Sequence, residues 1–343
     1  MQTKLGSAVK PIFLLAAVVI IFAGLKAVSF LAGPVVLAIF FVAVLRPAYQ
    51  FMVGKKIPNG LAVVFTTILF ILILIFLAWV FSLAITETVS TFSQYSADIT
   101  KNFTAFNDLV GSLPSYLGSL KGTLQSVNLS AMSGFITGFI GVLTSFISEL
   151  VVVFFLFVFV LTGMPLIMAR MKEKFGETSQ LTVKTNSFMD NLARYFILRT
   201  IINLVTGLGI ALSCVLLGIP NAFVWGLLTF VLSYIPYIGM FIACVPPGII
   251  AFAQGGITEL VIFTIICIVV NGMAEQVLSP VITGKGLSIS PVLIFVSFLF
   301  WGWLLGDVGY IVAVPMTVMV LLVMNSFKET AKFAYLVSNI PDE

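Results

Sequence analysis

The sequence predicts an all-α, polytopic membrane protein with about seven to eight membrane segments, two of which are broken or re-entrant helical pairs, plus one helical segment outside the membrane. Two observations carry this. Of 343 residues, 60% are hydrophobic and 9% charged, and the mean hydropathy is +1.20, whereas soluble domains sit near ~45–50% apolar and ~25% charged. A core of this size cannot hide that much apolar surface, so a soluble globule is excluded. The apolar residues also form unbroken runs, as at 68–79 and 150–161, where a transmembrane barrel would alternate apolar and polar positions.

The first three spans are read at residues 11–27, 29–51 and 61–85. The first resembles a signal peptide but lacks a small-residue cleavage site and runs directly into the second, so it is read as retained. Residues 86–137 form the external segment, 138–162 the fourth span, 163–199 an amphipathic linker, 200–326 the C-terminal transport region and 327–343 a tail, after an N-terminal three-span region at 1–85. All but Lys26, Lys101 and Lys121 of the 17 basic residues fall on one side of these spans. By the positive-inside rule that side is cytoplasmic, so both termini are expected there. In a bacterium the membrane is the inner one. The net charge of +4 thus reflects orientation, and no nucleic-acid partner is expected.

Between residues 86 and 133, apolar side chains recur at Ile99, Phe103, Phe106, Val110, Leu113, Leu117, Leu120, Leu124 and Val127. Their steps alternate between four and three, a heptad-like seam. Gly111 and Pro114 should divide it into helices near 87–110 and 114–127. Two readings stay open: a seam joining protomers, and an amphipathic hairpin lying on its own chain or on the membrane. Gly134, Gly138 and Gly141 offer a close-approach step of the GxxxG kind.

The C-terminal region is punctuated by glycine and proline. Residues 222–233 stop at Tyr234-Ile235-Pro236-Tyr237-Ile238-Gly239, and 240–253 contain Pro246 and Pro247. Neither stretch is long enough to cross ~30 Å of hydrocarbon at ~1.5 Å per residue. A second pair follows at 291–305 and 310–325, separated by Gly306-Asp307-Val308-Gly309. Paired breaks of this kind point to a substrate site in transporters; two ordinary hairpins are the alternative. Between them, Asn271, Glu275 and Ser279 stand at i, i+4 and i+8 and share a face if the stretch is helical. Glu275 is either a substrate or coupling-proton residue or a solvated interfacial carboxylate near Lys285. Tyr234, Pro236, Tyr237, Asn271, Gln276 and Ser279 are the candidate substrate-binding residues. Asp307 reads as a turn residue, and Arg199 as a snorkelling side chain at a span entrance.

Some chemistry is excluded. The chain has no histidine, and Cys214, Cys244 and Cys267 stand singly within apolar segments, without metal-ligand spacing. No nucleotide-binding loop is present, and no nucleophile–base pair stands out. The expectation is a non-enzyme, without catalytic residues, metal or cofactor.

Residues 217–239 (LGIPNAFVWGLLTFVLSYIPYIG), 278–291 (LSPVITGKGLSISP) and 300–315 (FWGWLLGDVGYIVAVP) resemble the signatures of the autoinducer-2 exporter family of bacterial membrane proteins. The N-terminal layout is similar as well. The resemblance implies export of a small polar solute, foremost autoinducer-2, a quorum-sensing furanone derivative, by a homo-oligomer, a pentamer among the candidates, embedded in the lipid bilayer. Other members resemble sodium or lithium/proton antiporters, the alternative function, with Glu275 as the titrating group. A non-transporting oligomeric scaffold is the third reading. Relatives often carry Glu where this chain has Ser279, and some carry Pro where it has Asp307.

Overall fold

The computed structural model describes residues 9–112, 114, 122, 129–235, 238–283 and 291–325. Among these there is no strand; the elements are helices α1 (Val9–Ala27), α2 (Ser29–Gly54), α3 (Asn59–Gln94), α4 (Ser96–Gly111), α5 (Leu129–Phe175), α6 (Gln180–Leu216), α7 (Ala222–Leu232), α8 (Gly239–Gly272), α9 (Ser279–Thr283), α10 (Pro291–Leu305) and α11 (Asp307–Asn325). A π-helical segment, Met273–Leu278, joins α8 to α9. Five described helices are long and apolar enough to cross a membrane, and three shorter apolar helices accompany them. The protein is an all-α polytopic membrane protein, as its composition predicts.

Several boundaries differ from the sequence reading. The first external helix does not run unbroken from 87 to 110: α3 continues to Gln94, and α4 begins at Ser96 after a bend at Tyr95. The expected helix at 114–127 lies outside the described residues, Pro114 and Gly122 apart. The fourth span is the middle of a 47-residue helix, α5. No boundary separates 199 from 200, because α6 is continuous from Gln180 to Leu216. Charged stretches end an apolar run without ending a helix, since Lys, Glu and Arg are good helix formers.

The prolines do not mark the breaks either. Pro34, Pro47, Pro165 and Pro315 sit inside helices, and α8 passes through Pro246 and Pro247, as neighbouring helices in a membrane protein allow. The break in α8 is at Gly255 and Gly256. Gly256 adopts φ 66, ψ −150, a conformation essentially restricted to glycine. It turns the chain into a second arm, residues 257–272.

Two units cluster by their contacts. One contains 1–63, 152–193 and 286–343. Here α10 and α11 form a hairpin that turns at Gly306 and packs on α1 and α2. Phe22 meets Phe300 edge-on at 5.2 Å, and Trp301 donates to Thr317 Oγ1 at 2.9 Å. Arg46 joins Asn186 Oδ1 at 2.8 Å and Asp190 at 3.2 Å.

The other unit contains 64–151 and 194–285. Its core gathers Phe81, Leu143, Ile210, Trp225, Leu228, Met240, Ile250 and Phe263, each at most 2% exposed. A glycine-on-glycine contact sets the α6–α7 spacing: a Cβ on Gly207 would lie 2.6 Å from the Gly226 carbonyl oxygen. The α4 seam is occupied within the chain: Ile99, Phe103 and Val110 are buried, and α4 packs on α8. This corrects the protomer-joining reading for those positions. Gly134, Gly138 and Gly141 have no heavy atom within 4 Å of an added Cβ, so the GxxxG step makes no close approach to any described residue.

Candidate functional site

The site is built by a short helical hairpin in the second unit. Its arms are α7, of 11 residues, and the first arm of α8, residues 239–254. At ~1.5 Å per residue they extend ~16 Å and ~24 Å. Gln254 donates to the Gly218 carbonyl at 3.1 Å, which brings the open ends of the hairpin together. Asn221, in a left-handed conformation (φ 57) that asparagine tolerates, bonds Glu87 from the same end. Asn102 of α4 donates to the carbonyls of Phe252 and Ala253, both at 2.8 Å. These carbonyls immediately precede the non-helical Gly255 and Gly256.

The tip of the hairpin is described at Ser233, Tyr234, Ile235, Ile238 and Gly239. α7 ends at Ser233, its C-cap, which is itself still in the right-handed helical region. The last carbonyls of a helix lack intrahelical donors and carry the negative end of its dipole. Arg199, from the middle of α6, supplies the donors. Its Nε and Nη2 bond the Ser233 carbonyl at 3.2 and 2.6 Å. Its Nη1 and Nη2 also grip Glu275 Oε2 and Oε1, at 3.0 and 2.7 Å. The two side chains are 7% and 9% exposed. A buried guanidinium is tolerated only when paired and hydrogen-bonded in this way, and the bidentate fork suits a carboxylate.

Glu275 reaches this position from the π-helical segment. A π turn bonds i to i+5 and is frequent at functional sites. Tyr234 lies beside the pair. Thr200 gives its hydroxyl hydrogen to the Phe196 carbonyl at 2.7 Å, so in the 2.6 Å contact between the hydroxyls Tyr234 is the donor.

Two further polar groups belong to the cluster. Asn203, one turn along α6 from Arg199, is 0% exposed. Among the described residues neither its Oδ1 nor its Nδ2 has a hydrogen-bond partner, and the buried Ser233 Oγ has none. Buried polar atoms are almost always satisfied. Unmet capacity of both signs one helical turn from Arg199 can accept a hydroxyl-bearing molecule.

Of the candidate residues, Glu275 and Tyr234 are brought together around the Arg199–Thr200 turn. Asn271 is half-buried two residues before the π segment, Ser279 is half-buried directly after it, and Gln276 is exposed. Pro236 and Tyr237 lie outside the described residues, as does Lys285. Glu275 is not a solvated interfacial carboxylate, and Arg199 does not snorkel. Asp307 begins α11, directly after the Gly306 turn. Asn203 and Ser233 escaped the sequence reading, and Arg199 was read there only as a snorkelling side chain. The available signal was Arg199 and Asn203 spaced i, i+4 at the start of a long apolar run.

Comparison with known proteins gives a consistent result. The model of the AI-2E family transporters matches residues 15–329. The AI-2 transport protein TqsA of Escherichia coli (strain K12) is 28% identical over 335 residues, 97% of either chain. A putative transport protein of Haemophilus influenzae is 27% identical over 338 residues, 96% of each. The putative transport protein YrrI of Bacillus subtilis is 33% identical over 138 residues, 40% of this chain.

Proposed function

This chain belongs to the AI-2E family of transporters, and from that premise we propose that it exports a small polar solute, foremost autoinducer-2, through the polar cluster at the hairpin tip. The observation that carries the proposal is the buried Arg199–Glu275 pair lying beside unpartnered groups of Asn203 and Ser233. A furanone-type solute rich in hydroxyls offers donors and acceptors to Asn203, Ser233 Oγ and Tyr234. In this reading Arg199 holds the hairpin tip through the Ser233 carbonyl. A solute oxygen competing with Glu275 for the guanidinium would loosen that hold and open the path. Asn271 and Ser279 flank the cluster; Gln276, Pro236 and Tyr237 complete the candidate set. The protein sits in the inner membrane with both termini cytoplasmic, so the hairpin re-enters from the outer side. It works as a homo-oligomer whose seam is not the buried face of α4.

The second reading is a sodium or lithium/proton antiporter, favoured by one observation: Glu275 is a buried carboxylate within a helical stretch long and apolar enough to cross a membrane. One experiment separates the two. Purified protein in liposomes is loaded with autoinducer-2, and solute release and internal pH after a sodium pulse are followed together. Release without a pH change supports export. A sodium-dependent pH change without release moves the assignment to the antiporter. Neither signal, from protein of intact fold, refutes both. Asn203→Leu should reduce release at unchanged expression, and unaltered release would remove Asn203 from the site.

A further inference from the structure

A cavity of about 420 Å³ runs along the cleft between the two arms of α8, closed at the corner by Phe103 and Phe106 of α4. On the first arm its lining extends from Phe252 to Phe241, ~16 Å along the helix. Its walls are hydrocarbon, aromatic rings and the thiols of Cys244 and Cys267. The Thr264 hydroxyl is the exception, and it spends its hydrogen on the Leu260 carbonyl at 2.7 Å. The size is that of a small-ligand pocket, ~300–1,000 Å³.

The chemistry rejects the solutes considered above. A polar furanone or a cation would leave its water here without finding a donor or a charge. Water itself does not fill apolar cavities. Nor is the space closed to the surroundings: Phe241 and Ile257 at its rim are 44% and 37% exposed. The surface of the second arm around the mouth is apolar, with Val261, Ile265 and Ile268 exposed by 47%, 54% and 53%. In a membrane protein that surface faces lipid tails, which are continuous with the mouth. The elongated shape suits one extended hydrocarbon chain better than a compact ligand.

We propose that this cavity binds one acyl chain of a membrane phospholipid, which fills the cleft between the arms of α8 beneath α4. The inference is independent of the polar cluster. Because the chain contacts both arms and α4, it would brace the corner that Asn102 holds.

The test uses the full chain in phosphatidylethanolamine–phosphatidylglycerol vesicles containing a phosphatidylcholine with a diazirine at the end of one acyl chain. After irradiation, adducts are mapped by mass spectrometry. Cavity-lining residues of α8 are expected to be labelled several-fold more than the outward-facing Ile268 and Val269. Thr264→Trp, which projects bulk from the rim, should bring cavity labelling down to that level and leave outward labelling unchanged. Equal labelling in the unmodified protein overturns the proposal, as does cavity labelling that survives Thr264→Trp in protein with an unaltered melting curve. Should that variant not fold, native mass spectrometry of the unmodified protein decides: a phospholipid retained through delipidation supports the site, and a lipid-free chain overturns it. Zero-length cross-links from this cleft to a second copy of the chain, replacing lipid adducts, also overturn it.

Discussion

Breaking the Arg199–Glu275 pair should show that it is held by burial rather than by attraction alone. Glu275→Leu leaves a guanidinium in a site where the two side chains are 7% and 9% exposed. Removing one partner of such a pair costs ~3–5 kcal/mol, against a total stability of ~5–15 kcal/mol for ordinary domains. Arg199→Met should cost more. It abandons the carboxylate and also strips both donors from the Ser233 carbonyl, and a buried unsatisfied acceptor adds ~1–3 kcal/mol. In the double variant Arg199→Met/Glu275→Leu no buried charge remains. The residual loss should fall to that orphaned carbonyl, ~1–3 kcal/mol, well short of the sum of the singles. The assay is a double-mutant cycle by detergent-induced unfolding in mixed micelles, with solute flux measured on the same preparations. A coupling energy above ~2 kcal/mol is expected, with stability largely restored and flux still lost. Additive losses, with coupling below ~0.5 kcal/mol, would refute the claim that the pair is desolvated and mutually dependent.

Three other outcomes follow from the same unit. Asn102→Ala removes both hydrogen bonds to the α8 corner and should raise amide exchange across 252–257 while leaving the α6 core protected; unchanged exchange would separate α4 from the corner. Gly256→Ala forces a side chain into φ 66, ψ −150 and should cost ~1–3 kcal/mol, whereas Gly138→Ala, with no neighbour within 4 Å, should be neutral or stabilising by up to ~1 kcal/mol; equal unfolding midpoints would contradict the corner geometry. Thr200→Val orphans the Tyr234 hydroxyl and should cost ~1–3 kcal/mol, more than Tyr234→Phe at ~0.5–1.5 kcal/mol, and the reverse order would invert the assigned donor.

Legibility in the sequence followed the range of the physics. Spans such as α2 and the paired short segments at α7 and α10–α11 were readable because hydropathy and glycine or proline chemistry act over a turn or two. The same locality misled where charge was taken for a helix end: residues 163–199 were read as a linker, yet most of them belong to α5 and α6. At Pro246 and Pro247 tertiary neighbours let the helix continue, and the short segment read at 240–253 ends at the Gly255–Gly256 break. The α4 periodicity identified an apolar face correctly. Periodicity cannot name what covers a face, and for Ile99, Phe103 and Val110 the cover is within the same chain.

From the amino acids alone came the solvent this protein requires and its helical class, because composition acts on every residue regardless of partner. The tertiary structure decided the site. Arg199 and Glu275 are 76 positions apart, and only the packing of α6 against the hairpin and the π segment turns two isolated charges, each costly in an apolar setting, into a satisfied pair. A charge written in a sequence carries its penalty with it, whereas the partner that offsets the penalty is chosen by the fold.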